Sequence, residues 1–101
     1  MVSNERILCA AIWWNEKKKH PHQARNIEYG WVVCGHRHHN IFPILEQMGR
    51  SGQHLQDDSE TTQGFMTSWG DFVNRARAAK IAFLAGQTPE EPAVLFSEDL
   101  Y

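Results

Sequence analysis

Apolar positions along the chain come in blocks whose spacing changes from one block to the next. Arg6–Trp14, RILCAAIWW, is apolar almost throughout and short, which predicts a strand buried on both faces. The polar run Asn15–Asn26, NEKKKHPHQARN, follows as a loop. Ile27–Cys34, IEYGWVVC, is rich in β-branched and aromatic residues and predicts a second strand, paired with the first across that long loop. Gly35 ends it. Ile41, Ile44, Leu45 and Met48 then repeat at helical spacing, predicting a helix from about Asn40 to Met48. Asn40 would be its cap, Pro43 would fall in the first turn, and Gly49 would end it. Arg50–Thr62, RSGQHLQDDSETT, reads as a polar surface loop.

The best-signalled stretch is Gln63–Gln87, QGFMTSWGDFVNRARAAKIAFLAGQ. Gly64 and Gly70 bracket a tight hairpin with Phe65 and Phe72 on either side, and Val73-Asn74 is a strand end running into a helix cap. Gly86 supplies a left-handed stop, with Pro89 just beyond. Phe72, Ala76, Ala79 and Phe83 predict one apolar stripe on this helix, while Ala78, Ile81, Leu84 and Ala85 lie off it. A helix apolar on two sides needs two surfaces to bury against, and a second subunit could be one of them. The tail, AVLFSEDLY, is too apolar to stay in solvent and should dock as a short strand or turn. These elements predict a single α+β domain, an antiparallel sheet with two packed helices, in a homo-oligomer.

Composition narrows the chemistry. The chain has 101 residues, 42 % of them hydrophobic and 22 % charged, which is ordinary for one globular domain. Ten Lys and Arg against twelve Asp and Glu give a net charge of -2, without the positive excess of a DNA- or RNA-polymer binder. A bound phosphate must then be met by a few local residues. Cys9 and Cys34 lie in apolar runs and read as small core residues. The N-terminus lacks signal-peptide character and no apolar run could span a membrane, so the expected location is cytoplasmic.

Two groups of residues stand out. His20-Pro21-His22 and His36-Arg37-His38-His39 place imidazoles two apart, on one face if they lie on strands, but their spacing matches no zinc signature. The second group lies where a strand meets a helix N-terminus. There the dipole and free N–H groups favour an anion, Arg37 can grip phosphate bidentately, and an imidazole can donate. Asn74-Arg75-Ala76-Arg77 puts arginines at another helix start, where acidic residues are normally preferred. Solvated surface explains both groups equally well. Phe65 and Phe72 read as core; Trp69, beside Gly70, is the better exposed platform for a base. The basic tip Lys17–Lys19 is a solvated loop or an arm across a bound anion. No Gly-rich phosphate loop, GxSxG or HExxH is present, and Cys34 beside His36 reads as packing rather than a nucleophile.

Gln63–Gln87, the earlier GHRHHNIF and the terminal LFSEDLY together resemble the Thoeris anti-defence type 1 sponge proteins of phages. The shared pattern is a Gly-Phe hairpin, a Phe-Val-Asp/Asn-Arg helix start, an Ala-Gly-Gln helix end and a Ser-Glu-Asp-Leu-Trp tail, over roughly half the chain. The resemblance implies a non-enzymatic binder in the host cytoplasm that captures cyclic ADP-ribose isomers of Thoeris immunity intact. In some members it extends to the cyclic di- or trinucleotides of CBASS. It also implies an antiparallel sheet with two helices, assembled as dimers or hexamers with ligand at subunit interfaces. By this likeness Phe65 and Asn74 make stacking and polar contacts, Arg75 is the helix-start arginine, and Arg37 and His38 touch phosphate; no metal or cofactor is implied. Asp71 stands where a basic or polar residue is expected, Ala76-Arg77 replaces acidic first-turn residues, and Tyr101 replaces Trp. Two other readings remain: a small metal-dependent phosphohydrolase using the His cluster, and a protein-interaction inhibitor of a host enzyme.

Overall fold

The strand Ile7–Trp14 (β1) is the one on which the rest of the sheet assembles. The computed structural model describes residues 5–48 and 61–100. β1 pairs antiparallel with Trp31–Gly35 (β2) on one side and with Thr61–Thr67 (β3) on the other; Phe72–Asn74 (β4) pairs with β3, giving the order β2-β1-β3-β4. Two helices complete the fold, His38–Gln47 (α1) and Arg75–Leu84 (α2). The α+β prediction of an antiparallel sheet with two helices holds.

β1 is buried on both faces, as its apolar run predicted: Ala10, Ala11 and Ile12 are all fully buried. Alternation sends Ala10 and Ile12 to the helix face, where they join Phe65, Ile41, Leu45, Ala78, Ala82 and Leu95 in the main core. Ala11 faces the other way and packs with Ala24 and Phe72, flanked by Trp13, Ile27, Val32 and Met66. The second layer is therefore the loop after β1. That loop is fastened at several points. Arg25 forms a two-point ion pair with Asp71 at 2.9 and 2.8 Å, and its N–H reaches the Gly70 carbonyl at 2.7 Å. The Asn26 carboxamide donates to the Phe72 carbonyl at 2.7 Å and accepts its N–H at 2.8 Å. Trp13 Nε1 donates to the Tyr29 carbonyl at 2.8 Å. Asp71 thus complements the loop's own arginine. Lys17, Lys18 and Lys19 are exposed.

Several boundaries differ from expectation. The second strand begins at Trp31, not Ile27, because the chain turns at Gly30. Gly30 has φ +91°, its N–H donates to the Lys18 carbonyl, and a Cβ there would sit 2.5 Å from the Trp14 carbonyl oxygen. α1 starts two residues before the predicted Asn40. Its N-cap is Arg37, and Asn40 is the third helical residue, whose side chain accepts the Arg37 N–H at 3.1 Å. Burial of His38 against β3 draws the helix back to that point. Pro43 consequently lies inside the helix rather than in its first turn. β3 already includes Thr61 and Thr62, predicted as loop. Gly49 as helix stop, the rest of the 50–60 loop and Tyr101 lie outside the described residues.

The cap and stop of the 63–87 stretch form as predicted, and the hairpin forms too, but Gly64 lies within β3 opposite Asn74 and the turn is at Ser68–Gly70, so Gly64 does not bracket it. Asn74 accepts the Arg77 N–H at 2.8 Å. Gly86, at φ +77°, closes α2 with bonds from its own N–H to Phe83 and from Gln87 N–H to Ala82. The predicted stripe is wrong. Phe72 belongs to β4 and points to the loop face, while Ala76 and Phe83 are exposed. The buried side of α2 is Ala78, Ala79, Ile81 and Ala82. The docked tail decides this rotation: Leu95 N–H donates to the Arg75 carbonyl at 3.0 Å and Leu95 is fully buried, fixing which side of α2 faces inward. The tail ends in a 3-10 turn, Ser97–Asp99. The cysteines are not core residues. Cys34 is exposed and Cys9 half-buried. The Cys34 thiol donates to the Cys9 sulfur, which lowers the Cys9 thiol to about 7 and pushes Cys34 well above its ordinary value.

Candidate functional site

The first residue of α1, His38, and the first residue of α2, Arg75, meet on the helix face of the sheet. Neither helix has an acidic residue in its first turn, so two positive helix ends converge without internal compensation. His38 is buried, and its Nε2–H donates to the Gly64 carbonyl on β3 at 2.8 Å. That carbonyl can only accept, so the ring's lone pair is on Nδ1, which faces Arg75 Nη2 at 3.4 Å. The ring sits edge-on to Phe65 at 5.1 Å. Burial is the main cause holding the His38 pKa below its ordinary value; the Arg75 charge adds to it, while the Gly64 bond and Glu98 oppose it.

Arg75 is the centre of the cluster. Its guanidinium donates to the Leu95 carbonyl at 2.8 Å and to Gln63 Oε1 at 2.6 Å. It lies 4.9 Å from the Phe96 ring centroid and 5.9 Å from that of Phe65. Among the described residues, no carboxylate comes within ion-pair distance of it. Burial lowers its pKa, and Glu98 offsets this only through space. Arg37 stands at the rim, Nη1 3.5 Å from Glu98 Oε1, with side chains 24 % and 67 % exposed respectively.

Of the residues singled out from the sequence, Arg37, His38, Phe65 and Arg75 come together. Asn74 adjoins them, with its oxygen committed to the α2 cap. Trp69 sits in the turn of the β3–β4 hairpin, 49 % exposed, and its hydrogen bond is to Thr67 rather than to the cluster. Phe65 is fully buried; the exposed aromatic beside Arg75 is Phe96, at 49 %. Gln63, Phe96 and Glu98 were missed as site residues. The tail motif that contains Phe96 and Glu98 was visible, but nothing local in it says which surface it docks on.

Among the described residues, no histidine lies on a strand. His20 hydrogen-bonds Glu16 and stacks on Trp31 at 3.6 Å, while His38 opens α1. Among the described residues, no three His, Cys, Asp or Glu side chains gather as metal ligands, and no helix is long and apolar enough to cross a membrane.

The chain belongs to the phage T4 y16D protein family, whose model matches residues 6–101. The match runs from β1 through the C-terminal turn and so includes every residue of the cluster. No curated protein and no solved structure matches the chain.

Proposed function

We propose that this phage-family protein binds a cyclic nucleotide immune signal and sequesters it without cleaving it, as the resemblance to Thoeris anti-defence sponges implies. The ligand class is the cyclic ADP-ribose isomers of Thoeris, extending to CBASS cyclic di- and trinucleotides, and the working unit is a homo-oligomer in the host cytoplasm. The observation that carries the reading is Arg75: a half-buried guanidinium with no carboxylate at ion-pair distance among the described residues, where two helix N-termini converge. Each helix end contributes about 0.3–1 kcal/mol towards a nearby anion at an exposed site and up to about 2 kcal/mol when partly buried. A phosphate at the rim would exchange Glu98 for itself on Arg37 and take a charge-assisted bond. Phe96, stacked on Arg75, offers an aromatic face to a base beside that phosphate.

The test is a thermal-shift panel over cyclic ADP-ribose isomers and cyclic oligonucleotides, since a ligand that binds only the folded state raises Tm. The ligand is then recovered by heat denaturation and identified. Intact nucleotide is the expected product, and a hydrolysed one would overturn sequestration in favour of the phosphohydrolase. No shift across the panel would favour a protein-interaction inhibitor. Arg37→Ala is expected to weaken capture while leaving the fold intact; wild-type binding by Arg37→Ala and Arg75→Gln together would place the ligand elsewhere.

A further inference from the structure

On the sheet face opposite the helices, three sulfur-bearing residues occupy three adjacent strands. Cys9 on β1 is directly opposite Met66 on β3, so their side chains leave the sheet on the same side. Cys34 on β2 is opposite Ala11, two residues from Cys9, which places it on that side too. Cys34 and Met66 line one cavity of about 230 Å³ together with Gln23, Ala24 and His22.

We infer that Cys9, Cys34 and Met66 form a binding site for a soft monovalent metal ion of the Cu(I) type. Two thiolates and a thioether are the donors that select such an ion, whereas zinc sites add imidazole, carboxylate or further thiolates. Register argues for a bridging ion over a disulfide. A diagonal cross-strand pair has Cα atoms about 7–8 Å apart, beyond the roughly 6.8 Å at which a disulfide closes without moving the backbone. Two metal–sulfur bonds of about 2.3 Å each span sulfurs in van der Waals contact or slightly further apart. Binding releases one proton for each thiolate formed and involves no redox change. The cavity gives the ion a path from solvent past the exposed Cys34.

The experiment is an anaerobic titration of the reduced protein with Cu(I) in the presence of a chromophoric Cu(I) chelator. The folded protein is expected to withdraw one equivalent from the chelator and to develop ultraviolet thiolate-to-copper charge-transfer absorption. Cys34→Ser, at an exposed position where folding is not at stake, should abolish both signals, and Cys9→Ser should do the same. Met66→Leu, close in volume, should weaken retention by about tenfold or more. Failure of the wild type to compete, or undiminished retention by Cys34→Ser, would overturn the site. Equal retention of Zn(II) would refute its soft character, and ready closure to an intramolecular disulfide under a mild oxidant would refute the spacing argument.

Discussion

Asn74 separates what holds the fold from what serves a ligand. Its Oδ1 accepts the Arg77 N–H at 2.8 Å, satisfying one of the donors that α2 leaves open at its start. Asn74→Ala removes that acceptor and is expected to cost about 1 kcal/mol, within the usual 0.5–2 kcal/mol for a lost cap. An unfolding entropy of about 2.1 cal/mol/K per residue gives roughly 0.2 kcal/mol/K for a chain of this length. The expected fall in Tm is therefore about 5 °C, read by circular dichroism at 222 nm. Asn74→Asp keeps the acceptor and adds a negative charge at the helix start beside Arg75 and Arg77, worth about 0.3–1 kcal/mol in the stabilising direction. Its Tm should equal or exceed that of the wild type. Binding should move differently. Asn74→Ala, assayed well below its Tm, loses only what the amide itself contributes to capture, whereas Asn74→Asp places a carboxylate beside the anion cluster and should bind worst. An Asn74→Asp protein that melts as low as Asn74→Ala refutes the capping argument. One that captures nucleotide as well as the wild type refutes the electrostatic reading of the cluster.

His38 gives a pH signature. Its folded pKa lies below the ordinary 6.5, so the unfolded chain binds the proton more readily. The stabilisation from neutral His38 is complete above about pH 6.5 and is lost as pH falls from there towards the folded value. The slope of Tm against pH between about 6.5 and 5 should flatten in His38→Gln; an unchanged slope would mean that His38 titrates as it does in the unfolded chain. Gly86→Ala should cost about 1 kcal/mol, from the left-handed conformation alone, since a Cβ there meets nothing within 4 Å. Gly64→Ala should be far worse, because its Cβ would lie 2.2 Å from the Val73 carbonyl oxygen and 2.8 Å from Phe72 Cζ, forcing β4 off β3. Chemical denaturation of the two variants ranks them directly, and equal midpoints would contradict the ranking.

The parts of the candidate site that were legible had local causes. Arg37 and His38 stood out as a basic cluster where a strand meets a helix N-terminus, and Arg75 because a helix start normally prefers acidic residues; both signals need only neighbours in sequence. Their meeting did not show, because it requires α1 and α2 to begin at adjacent points of the sheet. Phe96 and Glu98 lie more than 20 residues from the nearest of these positions in sequence and arrive only when Leu95 bonds to Arg75. The face of α2 was misread for a related reason. Its composition is apolar on more than one side, so periodicity alone could not choose, and the choice fell to the tail.

By itself, the amino-acid sequence determined the α+β class, a first strand buried on both faces, the Asn74 cap and the Gly86 stop. Each rests on short-range sterics, hydrogen bonding or periodicity within a few residues. The tertiary structure decided what depends on long-range pairing: the β2-β1-β3-β4 order, the loop strapped over the second sheet face by Arg25–Asp71, and the inward side of α2. It also brought together the two clusters proposed to bind ligands. Arg75 and its partners converge because two helices start side by side, and Cys34, Cys9 and Met66 align because register places them on one face of three neighbouring strands. No local pattern encodes either convergence, since each is a property of how distant segments pack.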